Sequence, residues 1–129
     1  MQLFTIQEAQ ALLPTVEGLL RDLVEGRQEL AEKQAELEEA EAHTSSNGHS
    51  VEEKLFGRRK EIEELVASLN ARLSQLHDLG CAVKDLQTGL VDFPSMRDGA
   101  VVNLCWRLGE PTIAFWHSLD TGFAHRQPL

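Results

Sequence analysis

Apolar residues over the first eighty positions recur with helical spacing. From Thr15 to about Ala42, residues Val16, Leu23, Leu30 and Leu37 stand at seven-residue intervals, joined early on by Leu19 and Leu20. Gly26, Lys33 and Gln34 occupy intermediate positions further along, so the stripe narrows outward. The stretch from His43 to Ser50, rich in Ser, Thr, Asn and Gly, breaks the pattern with turn formers. Helical spacing resumes at Val51, with Leu55, Ile62, Leu69 and Leu76 again seven apart. Leu65, Val66, Leu73 and Leu79 thicken the second half, and Gly80 supplies a left-handed stop. Both stripes are thin near the turn and thick at the far ends, and an antiparallel hairpin buries most by pairing like with like. Each limb of about 28 residues spans roughly 42 Å at the α-helical rise.

The N-terminal boundary has its own signal. Thr5-Ile6-Gln7-Glu8 is a capping box, with Phe4 placed before it to staple against Ala9. Pro14 then removes a backbone donor and crowds the preceding turn, so the sequence predicts a short first helix ending near Leu13 and a kink or new start at Pro14. After Gly80 the texture changes to short β-forming runs and turn residues. Val101–Arg107 and Thr112–His117 form an expected hairpin around Leu108–Pro111, and Cys81–Leu86 and Leu90–Phe93 are shorter strand candidates. Pro94 and the Asp98-Gly99 pair mark turns, and the tail from Asp120 to Leu129 reads as irregular. The expected fold class is α+β: a long antiparallel helical hairpin, a coiled-coil-like arm over residues 1–80, followed by a small antiparallel β module over residues 81–129.

Register decides which polar groups of that module can meet. With Leu108–Pro111 as a four-residue loop, Arg107 pairs with Thr112, and Trp106, Leu104 and Val102 face Ile113, Phe115 and His117. Cys105 then lies on the opposite face beside Ala114, out of reach of His117, as a small buried apolar residue. A slip of one residue would put the two on one face. His117 closes an apolar face and either hydrogen-bonds Asp92 or Asp120 or acts as a ligand or base. The polar site expected here comprises Asp92, Arg97, Glu110, His117, Asp120 and Arg126. A metal would draw on His117, Asp92 and Asp120, because carboxylate and imidazole are the donors such a site needs. Arg97 and Arg126 are carboxylate clamps, holding Asp92 or Asp98 within the chain or open to a small anion. Trp106 and Trp116 pack the module on the arm, or form a contact surface where exposed.

Charge narrows the function classes. The chain carries −9, and most of it lies on the arm: residues 1–80 hold eight Lys/Arg against sixteen Asp/Glu, residues 81–129 four against five. That disfavours nucleic acid, whose binding depends on neutralised phosphates. The basic run Arg58-Arg59-Lys60 is expected to pair with nearby Glu residues on a solvated helix face. No apolar run reaches the ~20 residues of a membrane span. The N-terminus shows no signal peptide, and two cysteines make no disulfide framework, so a reduced cytoplasmic setting is expected. The spacings contain no Cys-x-x-Cys, no His-Glu-x-x-His, no phosphate loop and no nucleophile elbow, so no cofactor is named.

The stretches Lys84-Asp85-Leu86, Gly89-Leu90-Val91-Asp92-Phe93-Pro94, Arg97-Asp98-Gly99, Leu104-Cys105-Trp106-Arg107-Leu108-Gly109-Glu110, Trp116-His117 and Asp120-Thr121-Gly122-Phe123, with Arg126 and Pro128 after them, resemble the bacterial family of domain of unknown function 2203. The opening Phe4-Thr5, Glu8-Ala9 and Leu12-Leu13-Pro14 resembles that family's start. The resemblance implies membership without an activity, cofactor or substrate. The first functional expectation is a non-enzymatic binding and assembly protein, homodimeric through the arm, since two helices alone leave apolar surface uncovered. The alternative for the arm is a monomer whose outer third is solvated. The alternative for the function is a small metal-dependent hydrolase using His117 with Asp92 or Asp120.

Overall fold

Thr5 starts the first helix as its spacing from Glu8 predicts. Its Oγ1 accepts from the Glu8 amide at 3.0 Å, and its own amide donates to Glu8 Oε1 at 2.8 Å. The computed structural model describes residues 2–43 and 49–129, so the turn expected between the helices lies largely outside the described residues. Helix α1 runs from Ile6 to Ala42 and α2 from His49 to Leu79. The sheet that follows is wholly antiparallel, in the order β1 (Ala82–Asp85), β2 (Leu90–Arg97), β3 (Ala100–Arg107), β4 (Phe115–Ser118) and β5 (Gln127–Pro128). No helix among the described residues is long and apolar enough to cross a membrane.

The expected helix end near Leu13 and new start at Pro14 do not occur: α1 continues through Pro14 as one helix of 37 residues, about 55 Å long. Pro14 is exposed while Ala9, Leu13, Val16, Leu20 and Leu23 on the other side are buried. Burial of the apolar stripe outweighs the one helical hydrogen bond that Pro14 removes. Gly80 ends α2 in the left-handed conformation (φ +97°), as expected.

The two helices pack antiparallel, tied by Arg72 to Asp22 (3.0 Å), Lys33 to Glu61 (3.1 Å), Arg58 to Glu36 (4.0 Å) and Arg59 to Glu41 (2.8 Å). Arg58 and Arg59 of the basic run thus pair with acids of the opposite limb. Gly26 lies at a close crossing: a methyl there would overlap the Leu69 side chain. At the thick end the hairpin and the sheet share one core, in which Leu20, Leu23 and Leu76 meet Val91, Phe93, Leu104 and Trp106. Phe4 joins it edge-on to Phe93, with ring centroids 5.6 Å apart, and donates its amide to the Pro94 carbonyl at 2.7 Å.

Three strand expectations change. Pro94 lies inside β2, which runs on to Arg97. Strand β1 pairs with β2 only as far as Asp92, and Phe4 approaches Pro94 from that flank, so the missing N–H of Pro94 faces away from β3 and costs no ladder bond. The turn after it is the expected Asp98-Gly99 pair, both at positive φ (51° and 79°), the geometry of a two-residue hairpin. The tail is not wholly irregular either. A 3₁₀ turn at Phe123–His125 leads into β5, which pairs with β4, and the Leu129 amide reaches the Ala114 carbonyl at 2.9 Å.

The third change is the register of β3 and β4. The structure pairs Cys105 with Phe115, Leu104 with Trp116, Asn103 with His117 and Val102 with Ser118, one residue away from the four-residue-loop register. Strand β4 begins at Phe115 rather than Thr112 because three contacts hold the connection off the ladder. The Arg107 amide is taken by Glu110 Oε1 (2.7 Å), the Trp106 indole by the Glu110 carbonyl (3.0 Å), and the Ile113 amide by Gln10 Oε1 of α1 (3.0 Å).

Candidate functional site

The slipped register reverses the expected partition of side chains. Trp106, Leu104 and Val102 face the helices, while Cys105 and Asn103 share the other face with Phe115 and His117. Strand β2 adds Asp92 directly opposite Cys105. Cys105 is the small buried residue expected, with no exposed surface, but it is not separated from His117. One oxygen of Asp92, the Cys105 sulfur and one nitrogen of His117 all lie within 4.8 Å of one another. Asp92 and His117 are almost as enclosed, at 2% and 3% exposure. The segment after β4 turns back over this face, so that Leu119, Thr121, Gly122 and Phe123, with Lys84, Leu90 and Asn103, line a cleft of about 190 Å³ above His117 and Asp92.

Hydrogen bonding fixes how the imidazole is used. His117 Nδ1 stands 2.8 Å from the Ser118 carbonyl, which only accepts, so Nδ1 carries a hydrogen. Nε2 stands 3.0 Å from Asp92 Oδ1. Two bare acceptors would repel at that distance in a buried site, so one further hydrogen lies between them. Burial, reinforced by the charge of Asp92, pushes the Cys105 thiol up to about 11 despite the neighbouring Arg126 guanidinium, so it is a thiol at neutral pH. Cys81 is raised to about 11 by burial as well, and it donates to the Leu76 carbonyl at 3.3 Å in the core.

The other expected site residues are placed as follows. Asp120 is exposed, accepts from Ser118 Oγ at 2.7 Å, and is not among the converging donors; that bond holds its carboxyl below the usual range. Glu110 and Arg126 form a two-pronged pair (2.9 and 2.7 Å), so Arg126 is a carboxylate clamp whose partner is Glu110 rather than Asp92 or Asp98. The Arg126 guanidinium is also stacked between Phe115 and Phe123, 4.0 and 4.1 Å from the ring centroids. Arg97 lies over Trp116 at 4.7 Å. Trp106 is fully buried in the core, and Trp116 is half-buried against it. Cys105 was visible in the sequence as a residue type, but only the strand register reveals its neighbours.

Comparison with known proteins agrees with the residue pattern. No curated protein and no solved structure matches the chain. The family described as an uncharacterized conserved protein (DUF2203) matches residues 2–129, essentially from end to end. With its capped hairpin, its meander of strands and that match along its whole length, the chain belongs to the DUF2203 family.

Proposed function

We propose that the chain is a non-enzymatic binding and assembly protein, in which the helical arm pairs two copies and the β module carries a small polar site. The observation that carries this reading is the uneven burial of the arm. Val16, Leu20, Leu23 and Leu76, close to the sheet, are fully buried. Leu30, Leu37, Leu55 and Ile62, on the same seven-residue repeat further out, are only half-buried, and Phe56 is 67% exposed. The sheet reaches only the thick end. A repeat that continues beyond its cover is what a second hairpin would bury, giving a four-helix arrangement. The acidic arm disfavours nucleic acid as the partner. Two reduced, buried cysteines fit a bacterial cytoplasmic setting.

The hydrolase alternative draws on His117 and Asp92 and gains little else. Asp120 is engaged by Ser118, and a cleft of about 190 Å³ is smaller than the ~300–1,000 Å³ usual for small-molecule sites. Light scattering of the full chain at tens of micromolar tests the assembly reading. Twice the chain mass is expected, falling to the monomer mass when Ile62→Lys and Leu37→Lys place charges on the outer stripe. A monomeric wild-type chain removes this reading.

A further inference from the structure

We propose that Asp92, Cys105 and His117 form a binding site for one divalent transition-metal ion of the zinc type. The proposal rests on reading this sheet face as a binding site, and not on pairing of the arm. Three features converge. The donors are one oxygen, one sulfur and one nitrogen, a mixed set suited to a borderline-soft ion. They stand on three adjacent strands and face the same side, so the backbone ladder holds them together without help from a loop. Their atoms lie within 4.8 Å of one another, and a tetrahedral ion with bonds of about 2.0–2.3 Å needs neighbouring donors about 3.3–3.8 Å apart. A small rotation of the thiol and slight opening of the His117–Asp92 contact would meet that requirement.

The imidazole is already oriented as a ligand needs. A metal-bound histidine is commonly oriented by donating its second N–H to a carbonyl, and His117 Nδ1 does this to Ser118. Charge balance points the same way. Without metal the three side chains hold two exchangeable hydrogens, one on Cys105 sulfur and one between His117 and Asp92, and the set is neutral. A divalent ion that displaces both as protons meets thiolate, carboxylate and neutral imidazole, and the set is neutral again. Arg126 beside Cys105 does not spoil this balance, because Glu110 neutralises it. The fourth coordination position would face the cleft beneath Thr121 and Phe123.

Titration of cobalt(II) into the full, chelator-treated chain tests the proposal. One equivalent should produce intense tetrahedral d–d bands and a near-ultraviolet sulfur-to-cobalt charge-transfer band, both abolished by added zinc. Cys105→Ala leaves the His117–Asp92 pair intact, with folding checked by circular dichroism. It should remove the charge-transfer band and weaken binding at least roughly tenfold. Asp92→Asn provides a second variant and should weaken binding without removing the band. Absence of the band in the wild-type chain, or its persistence in Cys105→Ala, overturns the site. A dimer that binds no cobalt defeats this proposal alone, whereas a monomer that binds it defeats only the assembly reading.

Discussion

Glu110 accepts from three donors at once: the Arg107 amide and two nitrogens of Arg126. Through them it fixes the loop that displaces the β4 register and the tail that covers the polar face. Partial burial pushes its carboxyl up, but hydrogen bonds from Arg126 and Arg107 more than offset this and leave it below the ordinary 4.5. A depressed folded value means that the stabilisation is fully present above the unfolded value and is lost as pH falls through the folded one. Glu110→Gln is therefore expected to cost about 1.5 kcal/mol at neutral pH, the lower end for hydrogen bonds to charged groups because solvent partly screens the pair. The deficit should shrink below pH 4.5. Urea unfolding at neutral and acid pH checks this, and a deficit that stays constant down the acid limb refutes it.

Among the elements, α1 shows where local rules yield to packing. Pro14 is a helix breaker by every local criterion, yet its exposed position and the buried stripe opposite keep the helix whole. Gly26 makes the converse point. In the sequence it looks like a gap in the repeat, whereas in the hairpin it makes room for Leu69. Gly26→Val should overfill that crossing and cost about 1–3 kcal/mol. Leu69→Ala in the same chain should recover part of the loss, so that a double-mutant cycle gives a coupling above roughly 0.5 kcal/mol. Additive losses would show that the two residues do not press on one another. Strand β2 carries Pro94 for a similar reason, since its missing donor faces a flank where the ladder has already ended.

At the scale of the whole molecule, stability should decline along the arm. The end near the sheet is sealed by Leu20, Leu23 and Leu76, while the outer half relies on half-buried Leu37 and Leu55 and on solvent-exposed ion pairs worth little each. Hydrogen exchange of the dilute chain should show amides near Leu20 and Leu76 exchanging only through global unfolding, and those near Leu37 and Leu55 much faster. Raising the protein concentration should slow the outer amides if two arms pair. Uniform protection at every concentration would contradict the taper.

The sequence by itself determined the elements whose signals are local. Helical periodicity, the Thr5–Glu8 box, the Gly80 stop and the Asp98-Gly99 turn each depend on residues a few positions apart, and all appear where they were expected. It also offered the His117–Asp92 contact as one of two. Tertiary structure decided the rest. Whether Pro14 breaks a helix depends on which face the core covers, and a core is not a local property. The partners of Cys105 depend on a one-residue choice of register, made by Glu110, by Gln10 from a helix about a hundred positions away, and by the returning tail. In a strand a slip of one exchanges the two faces, so that choice moved His117 to the side of Cys105 and Asp92. Composition could name Asp92, Cys105 and His117, but only the pairing of the strands brought them together.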